Sequence, residues 1–215
     1  MSDPYVPRLP PELGEKLVRD DYRGDFKDRS TDIRNGCSWK LERLQHFEEI
    51  GDPGRDALRR GDWDEALRLV EGQREDFLTA IRAHTDRGHV FRRVRVVAQP
   101  LTPYVQWELH SLRLQAECGR PVRVVSTEAV AAAETAGLLP EVVILGGRTL
   151  YRILYTDSGR PDGAIRYTDP ETVRRWERYI ADLYDSGEDI AAYFAREIAD
   201  LPAPKTPPTP PPRPE

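Results

Sequence analysis

Residues 89–126 change their hydrophobic spacing twice, from alternation to a helical period and back to alternation. The runs RVRVV and VRVV are rich in β-branched residues, which favour strands. Between these runs, Thr102 and Pro103 are typical of the start of a helix. Gly119 and Pro121 are typical of its end. Two strands joined by a helix pair in parallel within a sheet whose faces are covered. The stretch therefore predicts a βαβ unit and an α/β fold.

The remaining hydrophobic runs toward the C-terminus predict more strands and helices. EVVIL, RTLYRILYT and AIRYT are short apolar runs with short connections, so we expect three antiparallel strands. An Ala-rich segment before them predicts a short helix. A helix begins at Asp169 and Pro170, and a last amphipathic segment carries Ile190, Phe194 and Ile198. Residues 89–200 thus predict a mixed sheet flanked by helices.

Residues 33–88 have a pattern that predicts helices instead. The run SWKLERLQHFEEI places Leu41, Leu44 and Phe47 at helical intervals, with Ser38 as the N-cap. A second helix is expected from Asp62, where acidic residues occupy the first turn. The fold predicted is a helical N-terminal half followed by the βαβ unit and the mixed sheet.

The two ends of the chain differ from the interior. Residues 1–32 combine prolines with dense alternating charge, which predicts an extended arm that docks through Tyr22 and Phe26. Residues 201–215 are too rich in proline for a helix or a sheet, and an extended, disordered tail is expected there. A PxxP ligand for a partner protein is the alternative interpretation of this tail. Residues 33–200 remain as a single α/β domain.

Composition narrows the class of protein. The chain has 215 residues with 39% hydrophobic and 32% charged residues, which suits one domain. Its net charge of -5 argues against a global electrostatic attraction to nucleic acid or to an anionic membrane, so direct binding of nucleic acid is not expected. The pattern of a secretory signal is absent, and no window reaches the roughly 18 apolar residues of a spanning helix. We expect a cytoplasmic location, with Cys37 and Cys118 as free thiols.

One group of side chains is a candidate site for a ligand or a partner. Its members lie on the two predicted strands and on the helix between them, and ligands of open α/β sheets bind beyond the carboxyl ends of the strands. The candidates are Arg93, Arg95, Tyr104, Trp107, Glu108 and Arg123. They suit an anionic group or a partner peptide. A structural interpretation, with Trp107 in the core and Glu108 paired to an arginine, is favoured over this one.

Five segments together form a recognisable pattern: WKLERLQHFEE, GDWDEAL, FRRVRVVAQPLTPYVQWEL, LPEVVIL and AIRYTDPE. They resemble an actinobacterial family that is defined as a domain of unknown function. The resemblance implies no activity, but it implies a regulatory context, since genes of that family often lie beside Xre-type helix-turn-helix regulators. The order of strands is also similar to a phospholipase-D-like α/β domain. Such domains carry HxK motifs, which this chain lacks, so this resemblance implies a binding or regulatory derivative.

The spacing of residues matches no metal-binding or catalytic motif. His84 and His89 supply two metal ligands at most, and HFEE is not the HExxH of a zinc enzyme. We predict no catalytic residue, metal or cofactor. The expected function is a non-enzymatic regulatory or protein-interaction module that acts with a helix-turn-helix regulator. The alternative is a phosphodiesterase-like hydrolase with a non-standard site on the same fold.

Overall fold

The computed structural model describes residues 6–205 of the chain. Within these residues one sheet contains the strands β1 (Glu15–Leu17), β2 (Gly36–Glu42), β3 (His89–Val97), β4 (Val122–Ser126), β5 (Val142–Leu145), β6 (Thr149–Tyr155), β7 (Pro161–Tyr167) and β8 (Glu188–Asp189). The helices are α1 (Arg19–Thr31), α2 (Pro53–Arg59), α3 (Trp63–Gly72), α4 (Arg74–Thr85), α5 (Pro103–Glu117), α6 (Thr127–Val130), α7 (Pro170–Ser186) and α8 (Ile190–Glu197).

The sheet is mixed, with its parallel strands on one side of the middle. Its strand order is β1-β7-β6-β5-β2-β3-β4-β8. The strands β2, β3 and β4 are parallel, and all other neighbours are antiparallel. Helix α5 connects β3 to β4, which confirms the predicted βαβ unit and the α/β fold. The antiparallel strands β5, β6 and β7 are confirmed as well. Gly146 and Gly147 form the turn between β5 and β6 with φ of 56° and 64°, which glycine adopts without steric cost.

The helix predicted from Ser38 is wrong, because this segment forms the central strand β2. Trp39 and Leu41 pack on one face of the sheet, while Lys40 and Glu42 project from the other, so the operative period is two. Ser38 caps no helix. Its hydroxyl accepts a hydrogen bond from the backbone N–H of Gly146 at 3.1 Å.

The predicted extended arm is also wrong over residues 15–31, which form β1 and α1. The docking predicted for Tyr22 and Phe26 is confirmed, since both rings contact Tyr151 of β6, with centroid distances of 5.2 and 5.9 Å. Asp25, on the same helix, lies 2.7 Å from Arg166 of β7. One of the charges that suggested a loose arm therefore joins α1 to the sheet.

Helices cover both faces of the sheet. Helix α7 packs on one face, where Trp176 and Ile180 meet Leu41 and Val94 in a buried cluster. On the opposite face, α5 and α8 cover β4, and α1 covers the antiparallel strands. Two separate helical covers thus share this second face, and the middle of the sheet lies between them.

The described part of the predicted tail has no regular secondary structure. It nevertheless contacts the domain, because the side-chain amide of Gln106 donates a hydrogen bond to the carbonyl oxygen of Pro202 at 2.9 Å. Residues 206–215, where the PxxP alternative falls, lie outside the described residues. No helix between residues 6 and 205 has the length and apolar character needed to cross a membrane.

Candidate functional site

The sheet face shared by α1 and α5 is charged at its centre. In the strand register, Tyr151, Val143, Lys40, Arg93 and Val122 lie side by side across five strands. Directly paired residues project from the same face of a sheet. Two cations therefore lie between apolar neighbours. Because the helices cover the apolar ends of this row, its charged middle is the floor of a cleft.

The next row along the same face contains a closed ion pair. Arg95 is 0% exposed, and its Nε atom donates a hydrogen bond to Oε2 of Glu108 at 2.8 Å. Its Nη1 atom donates to the carbonyl oxygens of Val96 and Glu42 at 3.1 and 3.4 Å. Burial raises the pKa of Glu108 above its ordinary value, and the charge of Arg95 opposes this shift only in part. The contacts of this pair are internal, so it holds α5 on β3.

Glu42 is the carboxylate that the charged floor shares. Its Oε1 atom lies 2.5 Å from Nζ of Lys40, and its Oε2 atom lies 3.4 Å from Nη1 of Arg93. Burial alone would favour the neutral acid, but the charges of Arg93, Lys40 and Arg95 lower the pKa of Glu42 to about 2. Glu42 is therefore ionised at neutral pH and balances only part of the charge around it.

The aromatic candidates on α5 belong to the core. The helix begins at Thr102, whose hydroxyl caps it by accepting from the backbone N–H of Val105 at 3.1 Å. Tyr104 is 2% exposed, and its hydroxyl donates to Glu49 at 2.9 Å. Trp107 is 4% exposed and packs in the same hydrophobic cluster. Trp107 in the core and Glu108 paired to an arginine match the structural interpretation of the sequence.

Arg123 does not belong to the cluster, contrary to the sequence prediction. It pairs with Val94 in the register and so projects from the α7 face, opposite to Arg93 and Arg95. Its guanidinium lies 5.5 Å from the ring centroid of Tyr184. The prediction failed because position within β4 does not reveal which face a side chain takes until the register with β3 is known.

The carboxyl end of β3, where a ligand was expected, is closed by Gln45. The amide nitrogen of this side chain donates to the carbonyl oxygen of Val96 at 2.8 Å, and its amide oxygen accepts from the backbone N–H of Ala98 at 2.9 Å. Thr102 donates to the backbone carbonyl of Gln45 at 2.8 Å. The open space lies over the middle of the strands instead.

Two cavities occupy this space and share Lys40 and Arg93 on their floor. The first, the acidic cleft, measures about 450 Å³ and is lined by carboxylates that include Glu42, Glu49, Asp52, Asp76 and Glu108. The second, the basic chamber, measures about 380 Å³ and combines cations with aromatic rings. The side chains that define this chamber are Lys40, Arg93, Arg120, Tyr22, Phe26, Phe91 and Tyr155.

Arg120 enters the chamber from the turn between α5 and β4. Gly119, with φ of 106°, ends the helix, and Pro121 precedes the strand. The Nη1 atom of Arg120 donates to the amide oxygen of Gln115 at 2.8 Å, and its guanidinium lies 5.7 Å from the ring centroid of Phe91. Burial and the charge of Arg93 lower the pKa of Arg120 to about 10. It remains a cation at neutral pH.

Sequence reasoning missed Lys40, Glu42 and Arg120. The alternation of charged and apolar residues in the run WKLE was the signal for the first two, and the helical prediction for this segment hid it. Arg120 had no signal of its own. It lies in a helix-ending Gly-Arg-Pro segment, and only the fold brings it close to Arg93.

Glu141 precedes β5 and closes the end of β2. Its Oε1 atom accepts hydrogen bonds from the backbone N–H groups of Arg43 and Leu44 at 2.6 and 2.7 Å. Burial, with the nearby charge of Glu42, raises the pKa of Glu141 to about 7. A pKa near 7 makes the charge of this carboxyl depend on pH in the neutral range.

His84 and His89, the two histidines considered as metal ligands, contact each other and Ser38 instead. The rings of His84 and His89 stack with centroids 4.7 Å apart, and Nε2 of His89 lies 2.8 Å from the hydroxyl of Ser38. Among residues 6–205, no three His, Cys, Asp or Glu side chains are grouped to hold a metal ion.

A family model described as a domain of unknown function, DUF6879, matches residues 24–195. The chain belongs to this family, which confirms the resemblance to a domain of unknown function. No protein with a curated description matches the sequence. The structure is similar to the solved structure of TrmBL2, an archaeal chromatin protein that shows a novel mode of DNA binding. The TM-score of this match is 0.45 and the sequence identity is 9%. The match covers 87% of this chain and 57% of that one.

Proposed function

We propose that this member of the DUF6879 family is a cytoplasmic regulatory module that acts by binding, with a helix-turn-helix regulator of the Xre type as its protein partner. The observation that supports binding is the basic chamber, where cations and aromatic rings converge without the carboxylates that line the adjacent cleft. Pockets of this kind hold ligands through a few convergent polar groups on a largely apolar lining. The regulator follows from the family resemblance in the sequence.

The partner is tested by coexpression with a helix-turn-helix regulator of the Xre type, chosen from the genes next to this one if the family arrangement applies here. A tagged copy of this protein is purified and separated by size-exclusion chromatography with light scattering, at about 10 μM, where a complex with a Kd near 1 μM is mostly associated. We expect the regulator to coelute in a complex of defined mass. Separate elution of the two proteins under these conditions would contradict the proposed partner. An unrelated helix-turn-helix protein serves as the control.

A phosphodiesterase-like hydrolase remains the alternative, and the charged floor favours a specific form of it. Arg95 and Glu108 form a closed pair, so a phosphodiester would have to be held by Arg93 and Arg120 in the chamber. Turnover of a chromogenic phosphodiester that is lost in Arg93→Gln and retained in the surface variant Arg68→Gln would establish this alternative. No turnover above the buffer rate is the result that we expect.

A further inference from the structure

The cations of the basic chamber outnumber the carboxylates that pair with them directly. Lys40 and Arg93 share one carboxylate, Glu42, which also faces Arg95. Arg120 has no carboxylate within 4.0 Å among residues 6–205; its guanidinium contacts the amide oxygen of Gln115 and the ring of Phe91, neither of which carries a charge. Three cations thus meet one carboxylate. Placing partly buried like charges together costs free energy unless a counter-charge joins them.

The remaining walls of the chamber are aromatic. Tyr22 and Phe26 come from α1, Phe91 from β3, and Tyr155 from the end of β6. The hydroxyls of Tyr22 and Tyr155 make no hydrogen bond to another residue within the part of the chain that the structure describes. Burial raises the pKa of both hydroxyls, so both are neutral donors at physiological pH. A ring and a hydrogen-bond acceptor are therefore the two features that these walls would recognise.

We propose that the basic chamber binds a phosphate monoester that carries an aromatic ring, the class to which nucleoside monophosphates belong. The phosphate lies against Lys40, Arg93 and Arg120, and the ring lies among the side chains of Tyr22, Phe26 and Tyr155.

Charge decides between a phosphate monoester and a carboxylate. A phosphate monoester carries about -1.5 to -2 charges at pH 7, whereas a carboxylate carries one. The excess in the chamber amounts to two positive charges once Glu42 is counted against Lys40, Arg93 and Arg120. The guanidinium groups also present their N–H donors in the fork geometry that suits phosphate oxygens. A dianion is thus the better match.

The size of the chamber agrees with a small ligand. Its volume of about 380 Å³ lies near the lower end of the range of about 300–1,000 Å³ that is usual for ligand pockets. The chamber is accessible, since the side chain of Lys40 is 26% exposed. The chamber therefore needs to hold no more than one aromatic ring system and one phosphate.

This inference rests on the proposed function only in taking the chamber as a binding site. It does not involve the regulator. If the ligand fails to bind while the regulator coelutes, the inference is wrong and the proposed partner stands. The opposite result would leave the chamber as a ligand site and remove the partner.

The test is calorimetric titration of the full chain with four probes. Phenyl phosphate and adenosine monophosphate carry both a ring and a dianion, inorganic phosphate lacks the ring, and benzoate has a ring with a single charge. We expect the two monoesters to bind at least tenfold more tightly than phosphate or benzoate. Arg120→Gln should weaken their binding tenfold or more, which corresponds to about 1.4 kcal/mol. The surface variant Arg68→Gln is the matched control and should bind as the parent does.

Several results would overturn the proposal. They are the absence of binding by either monoester at millimolar concentration, equal binding of inorganic phosphate, equal binding of benzoate, and unchanged binding by Arg120→Gln. Should Arg120→Gln fail to fold, Lys40→Gln serves in its place with the same expected loss. Circular dichroism of each variant separates a lost site from a lost fold.

Discussion

Arg93 and Arg95 lie two residues apart on β3 and project from the same face, yet their surroundings differ. Arg95 has Glu108 and two backbone carbonyls as partners and is 0% exposed. Arg93 shares Glu42 with Lys40, and its Nε atom is buried without a partner among residues 6–205. The helices make the difference, because α5 supplies a carboxylate to one arginine and the gap between α1 and α5 lies over the other. One arginine holds the fold together, and the other is available to a ligand.

Breaking the closed pair should produce the largest effect. Arg95→Ala leaves Glu108 buried without its partner, and Glu108→Ala leaves Arg95 in the same state. Removal of one member of a buried ion pair costs about 3–5 kcal/mol. We expect each variant to lose that much free energy of unfolding, measured by urea denaturation at pH 7.

The double replacement Arg95→Met with Glu108→Leu is the matched control. It removes both charges while retaining most of the volume, and such exchanges are often close to neutral. It should recover most of the stability that either single variant loses. A loss below about 1 kcal/mol in both alanine variants would show that the pair is not structural.

Trp107 lies on the same helix as Glu108, and its contribution to core packing can be measured by substitution. It borders the acidic cleft, but it is 4% exposed and lies in the hydrophobic cluster of α5. Trp107→Ala should lower the free energy of unfolding by about 3–5 kcal/mol, as large-to-small core substitutions do. Thermal unfolding decides the matter, and an unchanged melting temperature would assign the indole to a binding surface. Trp107→Phe retains a ring and should lose less.

The sequence was sufficient to predict the elements whose periodicity has one interpretation. β3, α5 and β4 follow from their alternating and helical runs, and the Thr-Pro start of α5 is confirmed by the capping hydroxyl of Thr102. β2 was missed because Leu41 and Leu44 are three residues apart. This spacing is typical of a helix, but it also arises by chance in and after a strand. The pairing of β2 with β3 and β5 decides its conformation, and pairing partners are distant in the chain.

The sequence predicted which types of residue occupy the candidate site more reliably than how these residues are arranged. Arg93 borders the open space, but the roles of Arg95 and Arg123 depended on which face and which helix each one meets. Arg120 was not identified, since a turn position gives no indication of the cavity it enters. Contacts between segments far apart in sequence determined all of these outcomes.

Glu141 lies beside the charged floor, where its carboxyl closes the end of β2 by accepting hydrogen bonds from the backbone of Arg43 and Leu44. Its pKa of about 7 exceeds the ordinary value of 4.5, so the folded protein holds this proton more tightly than the unfolded chain does. The stability linked to this group is complete below pH 4.5 and is lost as the pH rises toward 7, by about 3 kcal/mol in total. Glu141→Gln should therefore gain about 1–3 kcal/mol over the parent at pH 8 and little at pH 5.

Glu134→Gln is the control with the opposite sign. Glu134 lies 2.6 Å from Nε of Arg43, and its pKa is lowered, although burial acts the other way, because Arg43 and the backbone of Leu139 bond to the carboxylate. Its stabilising effect is present above the ordinary pKa and is lost in acid. Urea denaturation at several pH values measures both variants. A pH-independent difference between Glu141→Gln and the parent would contradict the raised pKa.

Arg120 should give the smallest effect on stability, and the effect should be a gain. Burial and the charge of Arg93 disfavour its cationic form in the free protein, while the charge of Glu42, the hydrogen bond to Gln115 and the ring of Phe91 offset only part of this cost. Residues placed for ligand binding often reduce stability in this way. Arg120→Gln should raise the free energy of unfolding by up to about 1 kcal/mol at low ionic strength, with a smaller gain in high salt.

The sign of this change separates the two arginine environments most directly. Arg95→Ala removes a neutralised cation and destabilises the fold, whereas Arg120→Gln removes a cation that has no carboxylate partner in the described chain. Thermal unfolding with and without phenyl phosphate measures the difference between the parent and Arg120→Gln. At a saturating concentration the ligand should stabilise the parent more than the variant and so reverse their order. A loss of more than about 1 kcal/mol in Arg120→Gln without ligand would show that Arg120 supports the fold as Arg95 does, and the chamber would then be part of the core.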